Sequence, residues 1–215
     1  MTQVISLVQE KGGSGKTTLA TIIASLMTES GAKIAIIDTD AQQSLTDWAK
    51  KEEISLDYLY IENDEHLTPT VNKLKEDGKY DCIIIDTAGF KSTIAIYSIM
   101  AANLVLIPTK ANEADAKGAI KASNHVKSVG LSVNKDISCY VVMMDVHPKA
   151  KITHAITKAI DKEKIQRLST FVTTRTGYKE MTSSGRAPEG AAKRNADEFI
   201  AEMQLLNLID YYKKD

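Results

Sequence analysis

The stretch QEKGGSGKTTLA, residues 9–20, contains most of a phosphate-binding loop but departs from the usual pattern at its start. Such a loop is written G-x-x-x-x-G-K-[ST], and Gly15 and Lys16 match its second half. The place of the first glycine is taken by Glu10, and the next residue is a second lysine, Lys11. The sequence therefore raises the question of why a loop that holds phosphate should carry two lysines.

The residues around this loop support the phosphate-binding interpretation. The apolar, β-branched run QVISLVQ at 3–9 predicts a buried strand that ends at the glycines. After the loop, apolar residues recur at helical spacing, with Gly31 at the expected C-cap: Leu19, Ile22, Ile23, Leu26 and Met27. A glycine-rich turn between a strand and a helix can surround a phosphate with backbone N–H groups at the positive helix N-terminus. We therefore predict nucleotide binding.

Further apolar runs alternate with helical patterns along the chain. The predicted strands are KIAIID (33–38), LDYLYI (56–61), CIIID (82–86), NLVLIP (103–108) and SCYVVMM (138–144). This alternation predicts an α/β fold of the P-loop NTPase type, with a mostly parallel twisted sheet, helices on both faces and ligands at the carboxyl ends of the strands. The segment 174–190 is predicted to be loop-rich with room for one short helix, and a final amphipathic helix is predicted over 190–212.

Composition limits the architecture and the kind of protein. The chain has 215 residues, 43% of them hydrophobic and 26% charged, which suits one α/β domain over 1–215. Cys82 and Cys139 lie far apart in apolar runs without metal-ligand spacing, so we expect reduced core cysteines. No apolar stretch reaches the roughly 18 residues of a membrane span, and none resembles a signal segment. We expect a cytoplasmic protein.

Charge is distributed unevenly along the chain. From Lys149 to Arg194 there are eleven Lys or Arg and four Asp or Glu, a balance of +7, whereas the rest of the chain carries −8. Two interpretations stay open at this point: a set of solvated helix faces, or a surface that binds a polyanion.

Carboxylates stand at the ends of two predicted strands. Asp86 follows CIII, where a Walker B carboxylate holds Mg²⁺ through water, and Thr17 would offer a hydroxyl to the same ion. Lys16 is expected to reach the β- and γ-phosphate oxygens. In DTDAQQS, Asp38 and Asp40 occupy alternate positions, so both are expected on one side of the strand exit, where they could position water or metal.

At these spacings KGGSGKTT, DTDAQQSLTDW and IIIDTAG resemble the deviant Walker A, Walker A′ and Walker B motifs of the ParA/MinD family of ATPases. The nearest likeness is to the short, ParF-like plasmid partition ATPases. It covers nearly the whole chain, since RTGYKEMTSSGRAPEG at 175–190 resembles a late segment of that family. Because the phosphate loop starts about ten residues into the chain, as in the short subclass, we expect no N-terminal helix-turn-helix extension.

The resemblance implies an answer to the question of the two lysines. Lys11 matches the signature lysine that, in the ATP-bound dimer, reaches the nucleotide of the other subunit. Asp40 matches the carboxylate that orients the attacking water, and Asp38 is expected to support the Mg²⁺ shell with Thr17 and Asp86. The implied cofactors are ATP and Mg²⁺, and the implied reaction is slow, partner-stimulated ATP hydrolysis. The implied ATP-binding residues are Lys11, Gly12, Gly13, Ser14, Gly15, Lys16, Thr17 and Thr18.

The sequence also departs from the family pattern. Ala41 replaces the Walker A′ proline, and Walker B continues as Asp86-Thr87-Ala88-Gly89 where many relatives have a proline pair. The DTAG sequence suggests a GTPase, but no N-K-x-D guanine motif is present: the segment at 134–136 lacks the spacer and precedes a strand. The segment DVHPK at 145–149 stands where relatives contact adenine, so the preference for adenine follows from the resemblance.

Three classes of function are compatible with these observations. The first is a DNA-segregating ATPase whose ATP-dependent homodimer binds nonspecific DNA in the nucleoid and is stimulated by a centromere- or cargo-binding adaptor; protein cargo or transfer DNA are alternatives within it. The second is a membrane-associated positioning ATPase, disfavoured because residues 197–215 carry five acids and two lysines. The third is a metabolic or iron–sulfur carrier P-loop protein, disfavoured by Lys11 and by the absence of C-x-x-C. The DNA-contact candidates are Arg175, Lys179, Arg186, Lys193 and Arg194.

Overall fold

The computed structural model describes residues 2–51, 56–89 and 92–209. Strands and helices alternate along this part of the chain. The strands are β1 Gln3–Leu7, β2 Ile34–Asp38, β3 Asp57–Tyr60, β4 Cys82–Asp86, β5 Leu104–Thr109, β6 Ser138–Val146 and β7 Val172–Thr173. The helices are α1 Lys16–Glu29, α2 Ser44–Ala49, α3 Asp64–Glu76, α4 Thr93–Ala101, α5 Glu113–Ser132, α6 Lys151–Lys162, α7 Thr176–Ser184 and α8 Gly190–Leu205.

The strands form a seven-stranded sheet in the order β3-β2-β4-β1-β5-β6-β7. Every pairing between these strands is parallel. In the centre of the sheet, Leu7 of β1 lies beside Asp86 of β4, and Asp86 lies beside Asp38 of β2. Because parallel strands present their carboxyl ends at one edge, this register places both aspartates next to the loop that leaves β1.

The two faces of the sheet pack against different helices. On one face, residues such as Ile5 and Ile84 contact a core formed with α1, α2, α7 and α8. On the other face, Val4 and Ile83 contact a core formed with α3, α4, α5 and α6. The central strands are buried on both sides, which explains why they read as continuous apolar runs rather than alternating patterns.

The predicted α/β fold class is confirmed, and the six predicted strands are present with boundaries that differ by at most two residues. β7 is absent from the prediction because its two residues are too few to produce a pattern. The loop-rich segment at 174–190 contains one helix, α7, and the final helix ends at Leu205, while residues 210–212 of its predicted span lie outside the described residues. Among the helices described, none has the length and apolar character of a membrane span.

Candidate functional site

The phosphate loop connects β1 to α1 and is shaped by its glycines. Gly13 and Gly15 adopt positive φ angles of 72° and 106°, a conformation that side chains with a Cβ rarely adopt. A Cβ built on Gly12 or Gly13 would meet no atom within 4 Å, so this side of the loop is open. The buried Ser14 hydroxyl has no hydrogen-bond partner among the described residues. The loop therefore offers an open cradle lined by backbone and one unsatisfied hydroxyl.

Lys16, the first residue of α1, is held under this cradle. Its side chain is only 7% exposed, and its Nζ donates to the Gln9 carbonyl at 3.2 Å. Burial lowers the pKa of Lys16, while the charges of Asp86 and Asp40 act in the opposite direction. A buried cation with carboxylates on one side is placed to bind the phosphate oxygens that the loop surrounds.

Asp86 and Thr17 form a polar pair that fits a divalent cation. The Thr17 hydroxyl donates to Asp86 Oδ2 at 2.6 Å. Asp86 Oδ1 is buried and has no hydrogen-bond partner in the part of the chain that the structure describes. Burial raises the pKa of Asp86 to about 7, although the Thr17 hydrogen bond acts to lower it. A buried, orphaned carboxylate oxygen beside a hydroxyl is a donor set that suits Mg²⁺, which retains water ligands and takes few from protein.

Asp38 is fully buried, and both of its carboxylate oxygens accept backbone hydrogen bonds. Oδ1 accepts from the Asp40 N–H at 3.0 Å, and Oδ2 accepts from the N–H groups of Leu45 and Thr46 at 3.0 Å. The side chain thus ties the end of β2 to the first turn of α2 and fixes the loop between them. The predicted role of Asp38 in the Mg²⁺ shell stays a prediction, and the contacts that its carboxylate makes among the described residues are with backbone N–H groups.

Asp40 is half-buried at the start of that loop and lines the cavity in front of the phosphate loop. Its Oδ1 accepts from the Gln42 N–H at 2.9 Å, so the side chain is oriented by the loop itself. Its charge also acts on Lys16. Asp40 is therefore the carboxylate of the DTD pair that faces the space where a ligand would lie.

Lys11, by contrast, does not line the cavity. Its side chain is 52% exposed, and its Nζ lies 2.7 Å from Oδ1 of Asp115, which is 1% exposed. Asn112, the N-cap of α5, donates from Nδ2 to the other oxygen of Asp115 at 2.9 Å. The two lysines of the loop thus have different positions: Lys16 faces the cavity of its own chain, whereas Lys11 is held against α5.

The cavity in front of the phosphate loop has a volume of about 580 Å³. It extends from the loop to the ends of β6 and β7 and to α7. Beyond the loop and Asp40, its lining includes Trp48, Lys110, Met144, Asp145, Val172, Thr173, Arg175, Tyr178, Lys179 and Thr182. Volume and lining are those of a site for a nucleotide-sized ligand. The predicted contribution of the segment that starts at Asp145 stays a prediction, although Asp145 itself borders this space.

The five DNA-contact candidates have different surroundings, and their role stays a prediction. Arg175 and Lys179 line the cavity, and Arg175 Nε donates to Thr173 Oγ1 at 3.0 Å. Lys193 is ion-paired with Asp197 and, at 3.5 Å, with Glu29. Arg194 is exposed on α8, and Arg186 is exposed in the loop before it. Residues from one basic stretch of the sequence thus differ in whether they line the cavity, form ion pairs or are exposed.

Several residues of the site were not identifiable from the sequence. Asp115 belongs to N-E-A-D at 112–115, which carries a helix N-cap signal but nothing that links it to Lys11. Met144 and Tyr178 lie in apolar or helical patterns that predict only core positions. Both line the cavity because of how β6 and α7 meet the phosphate loop, which is a property of the fold.

Known proteins with similar sequences include a carboxysome distribution protein and a ParA protein. Over 204 residues the chain is 26% identical to the maintenance of carboxysome distribution protein A of Halothiobacillus neapolitanus, covering 92% of this chain and 91% of that protein. It is 26% identical over 147 residues to protein ParA of Rhizobium radiobacter, covering 67% of this chain and 65% of the relative, just under two thirds of that relative's length.

Its fold is similar to that of a single-residue variant of Cyanothece McdA in an ATP complex, with a TM-score of 0.75, 19% identity and 99% coverage of both chains. Residues 5–188 match the model of the CobQ/CobB/MinD/ParA nucleotide binding domain family. That match includes the phosphate loop, the DTD loop, Asp86 and most of the cavity lining, and it confirms the resemblance to ParA and MinD. The chain therefore belongs to the CobQ/CobB/MinD/ParA family of nucleotide-binding domains.

Proposed function

We propose that this protein is a positioning ATPase that binds ATP with Mg²⁺, dimerises on ATP and hydrolyses it slowly until an adaptor protein stimulates the reaction. The observation that carries the proposal is the position of Lys11. A phosphate loop that already has Lys16 in its own site does not need a second cation there. A half-exposed lysine at the rim of the loop is available to the nucleotide of a second subunit, in the manner of an arginine finger.

The residues of the chain support ATP and Mg²⁺ as cofactors. Thr17 and Asp86 would hold Mg²⁺, and the ion would offset the negative charge of the phosphate groups. The backbone N–H groups of residues 12–17 and the Nζ of Lys16 would bind the phosphate oxygens. Among the structural relatives, the McdA structure described above is an ATP complex and a MinD structure of Pyrococcus horikoshii is a Mg-ADP complex.

Catalysis in this proposal depends on positioning and electrostatics. Asp40 would orient the attacking water toward the terminal phosphate, because it lines the cavity and its charge acts on Lys16 of the phosphate loop. Asp38 would keep Asp40 in place through its bonds to the Asp40 and α2 backbone. Lys11 of one subunit would stabilise the charge that develops on the phosphate held by the other.

The cargo we propose is a DNA molecule, such as a plasmid, that an adaptor carries over nonspecific DNA in the nucleoid. The match to protein ParA supports this version. The longer match to a carboxysome distribution protein supports the alternative of a protein cargo moved by the same cycle. In both versions the ATPase is a cytoplasmic homodimer without stable membrane association. The identity of the adaptor separates them, and a basic ribbon-helix-helix protein encoded next to this chain would favour plasmid partition.

Replacing Asp40 tests the assignment of the water-positioning group. We expect Asp40→Ala to bind ATP normally but to hydrolyse it about a hundredfold more slowly or worse, the effect of deleting a positioned catalytic group. Phosphate release measures the rate and calorimetry measures binding. The control is Asp47→Ala on α2, whose carboxylate is exposed and pairs only with Lys50 in the described structure. A wild-type rate in Asp40→Ala would transfer the role to another group, Asp38 first.

Replacing Lys11 tests the dimer. We expect Lys11→Ala to bind ADP with wild-type affinity, because Lys11 lies outside the cavity of its own chain, and to form no ATP-dependent dimer in light scattering. The matched control is Lys50→Ala, which removes another half-exposed lysine with one carboxylate partner. Loss of ADP binding in Lys11→Ala would place Lys11 in its own site and contradict the proposed dimer.

Asp86 predicts a pH dependence of Mg²⁺ binding. Its folded pKa of about 7 lies above the value near 4 of an unfolded chain, so the folded protein holds an extra proton between these pH values. The stability from this proton is fully present below about pH 4 and is lost as the pH rises through about 7. Mg²⁺ needs the ionised carboxylate. We therefore expect Mg·ADP to raise Tm more at pH 8 than at pH 6.

Thermal unfolding with and without Mg·ADP, repeated on Asp86→Asn, measures this effect. The variant has no titrating group at this position. The rise in Tm on adding Mg·ADP should therefore differ less between pH 6 and pH 8, and only by the amount that titration of the nucleotide alone produces. An equal pH difference in both proteins would show that Asp86 does not carry it.

A further inference from the structure

Helix α6 presents a row of lysines to solvent. The helix contacts α5 and buries one side, through Thr153, Ile156, Thr157 and Ile160. Lys151, Lys158 and Lys162 are exposed, and their spacing of seven and four residues places them on one face of the helix. Two further exposed lysines lie just before and just after the helix in sequence, at Lys149 and Lys164. We call these five residues the α6 lysine stripe.

Within the part of the chain that the structure describes, no carboxylate pairs with the α6 lysine stripe. None of the five lysines forms an ion pair with any residue that the structure describes. On the helix itself the acid is Asp161, whose oxygens are bound by Arg167 at 2.8 and 3.1 Å. Glu163, just after the helix, is the one further acid between Lys149 and Lys164. The stripe is therefore a net positive surface, unlike Lys193, which has two carboxylate partners.

We propose that the α6 lysine stripe binds the phosphate backbone of duplex DNA. Along the helix Lys151 and Lys162 are about 16 Å apart, so the stripe can reach several phosphates of a duplex. Lysines on flexible stems act as point charges without the planar fork that reads bases or phosphates bidentately. Such contacts fix a protein on DNA without selecting a sequence, which is what a nonspecific matrix requires.

A membrane surface fits this helix less well than a duplex. A helix that lies on a bilayer inserts its apolar face between the lipids. Here the apolar face packs into the core, where Ile156 and Ile160 are buried. Ile152 is the large aliphatic side chain that α6 exposes. Without an insertable face, a stripe of lysines gains mainly from counterion release on a polyanion, and duplex DNA carries one negative charge per about 1.7 Å of its axis.

The stripe is connected to the cavity by a short segment. Asp145 lines the cavity, and five residues separate it from Lys151. The His147 carbonyl accepts from the Ala150 N–H at 3.0 Å and from Thr153 Oγ1 at 2.9 Å, which fixes this segment to the first turn of α6. A ligand in the cavity and a polyanion on α6 would therefore contact neighbouring parts of one rigid unit.

This inference rests on the proposed use of DNA as matrix and adds the surface that would bind it. The test measures affinity of the ATP-bound protein for a random duplex by fluorescence anisotropy at several salt concentrations. The variant Lys151→Gln/Lys158→Gln removes two charges from the stripe. The matched control, Lys33→Gln/Lys73→Gln, removes two exposed lysines that likewise have no ion pair among the described residues. Lys193→Gln/Arg194→Gln tests the surface predicted from sequence.

We expect the stripe variant to bind duplex more weakly and to lower the slope of log affinity against log salt by about two units, since each lost phosphate contact removes about 0.9. The control pair should keep the wild-type slope. Basal ATP hydrolysis and Tm should be unchanged in both variants, because the replaced side chains are on the surface and outside the site.

Two results would overturn the inference in distinguishable ways. Wild-type affinity and slope in the stripe variant, with the loss appearing in Lys193→Gln/Arg194→Gln, would reject the α6 site but leave the DNA matrix intact. No ATP-dependent binding of duplex by the wild-type protein, even at low salt, would reject the matrix together with the site. Binding of the wild-type protein to anionic phosphatidylserine vesicles in that case would identify a membrane surface instead.

Discussion

The site depends on the register of three neighbouring parallel strands. β2, β4 and β1 end at the same level, so that Asp38, Asp86 and the start of the phosphate loop lie side by side. A shift of one residue in any of these pairings would turn a carboxylate to the opposite face of the sheet. The buried, continuous apolar character of the strands holds this register through packing on both faces. The polar groups of the site are thus positioned by the hydrophobic core beneath them.

At the carboxyl edge of the sheet, some aspartate side chains are fully hydrogen-bonded within the protein and others keep oxygens that a ligand could bind. Asp38 has every carboxylate oxygen bound to backbone, so it stabilises one arrangement of the DTD loop. Asp86 keeps one oxygen without a partner among the described residues, and Asp40 faces the cavity. Two aspartates that look equivalent in the sequence DTD therefore have different environments, because alternate residues at a strand exit meet different neighbours.

The sequence predicted the fold and the phosphate loop well, since both follow from local patterns. Continuous apolar runs predicted β1, β2, β4, β5 and β6, and the glycines with Lys16 predicted the cradle. The two-residue β7 and the pairing of Lys11 with Asp115 were out of reach, because each depends on contacts between segments far apart in the chain. The charge count located a basic stretch of sequence but could not show which of its residues line the cavity and which form ion pairs, since both depend on contacts between distant segments.

The ion pair between Lys11 and Asp115 has a consequence for how sharply the protein responds to its own concentration. In the proposed dimer each Lys11 must leave its Asp115, so every association event breaks two such pairs. Because Asp115 is buried, breaking the pair leaves an uncompensated carboxylate, which costs more than breaking an ion pair between two exposed groups. Symmetry thus doubles the effect of this contact on the threshold at which monomers assemble. Small changes at Asp115 would reset that threshold without altering any group that contacts nucleotide.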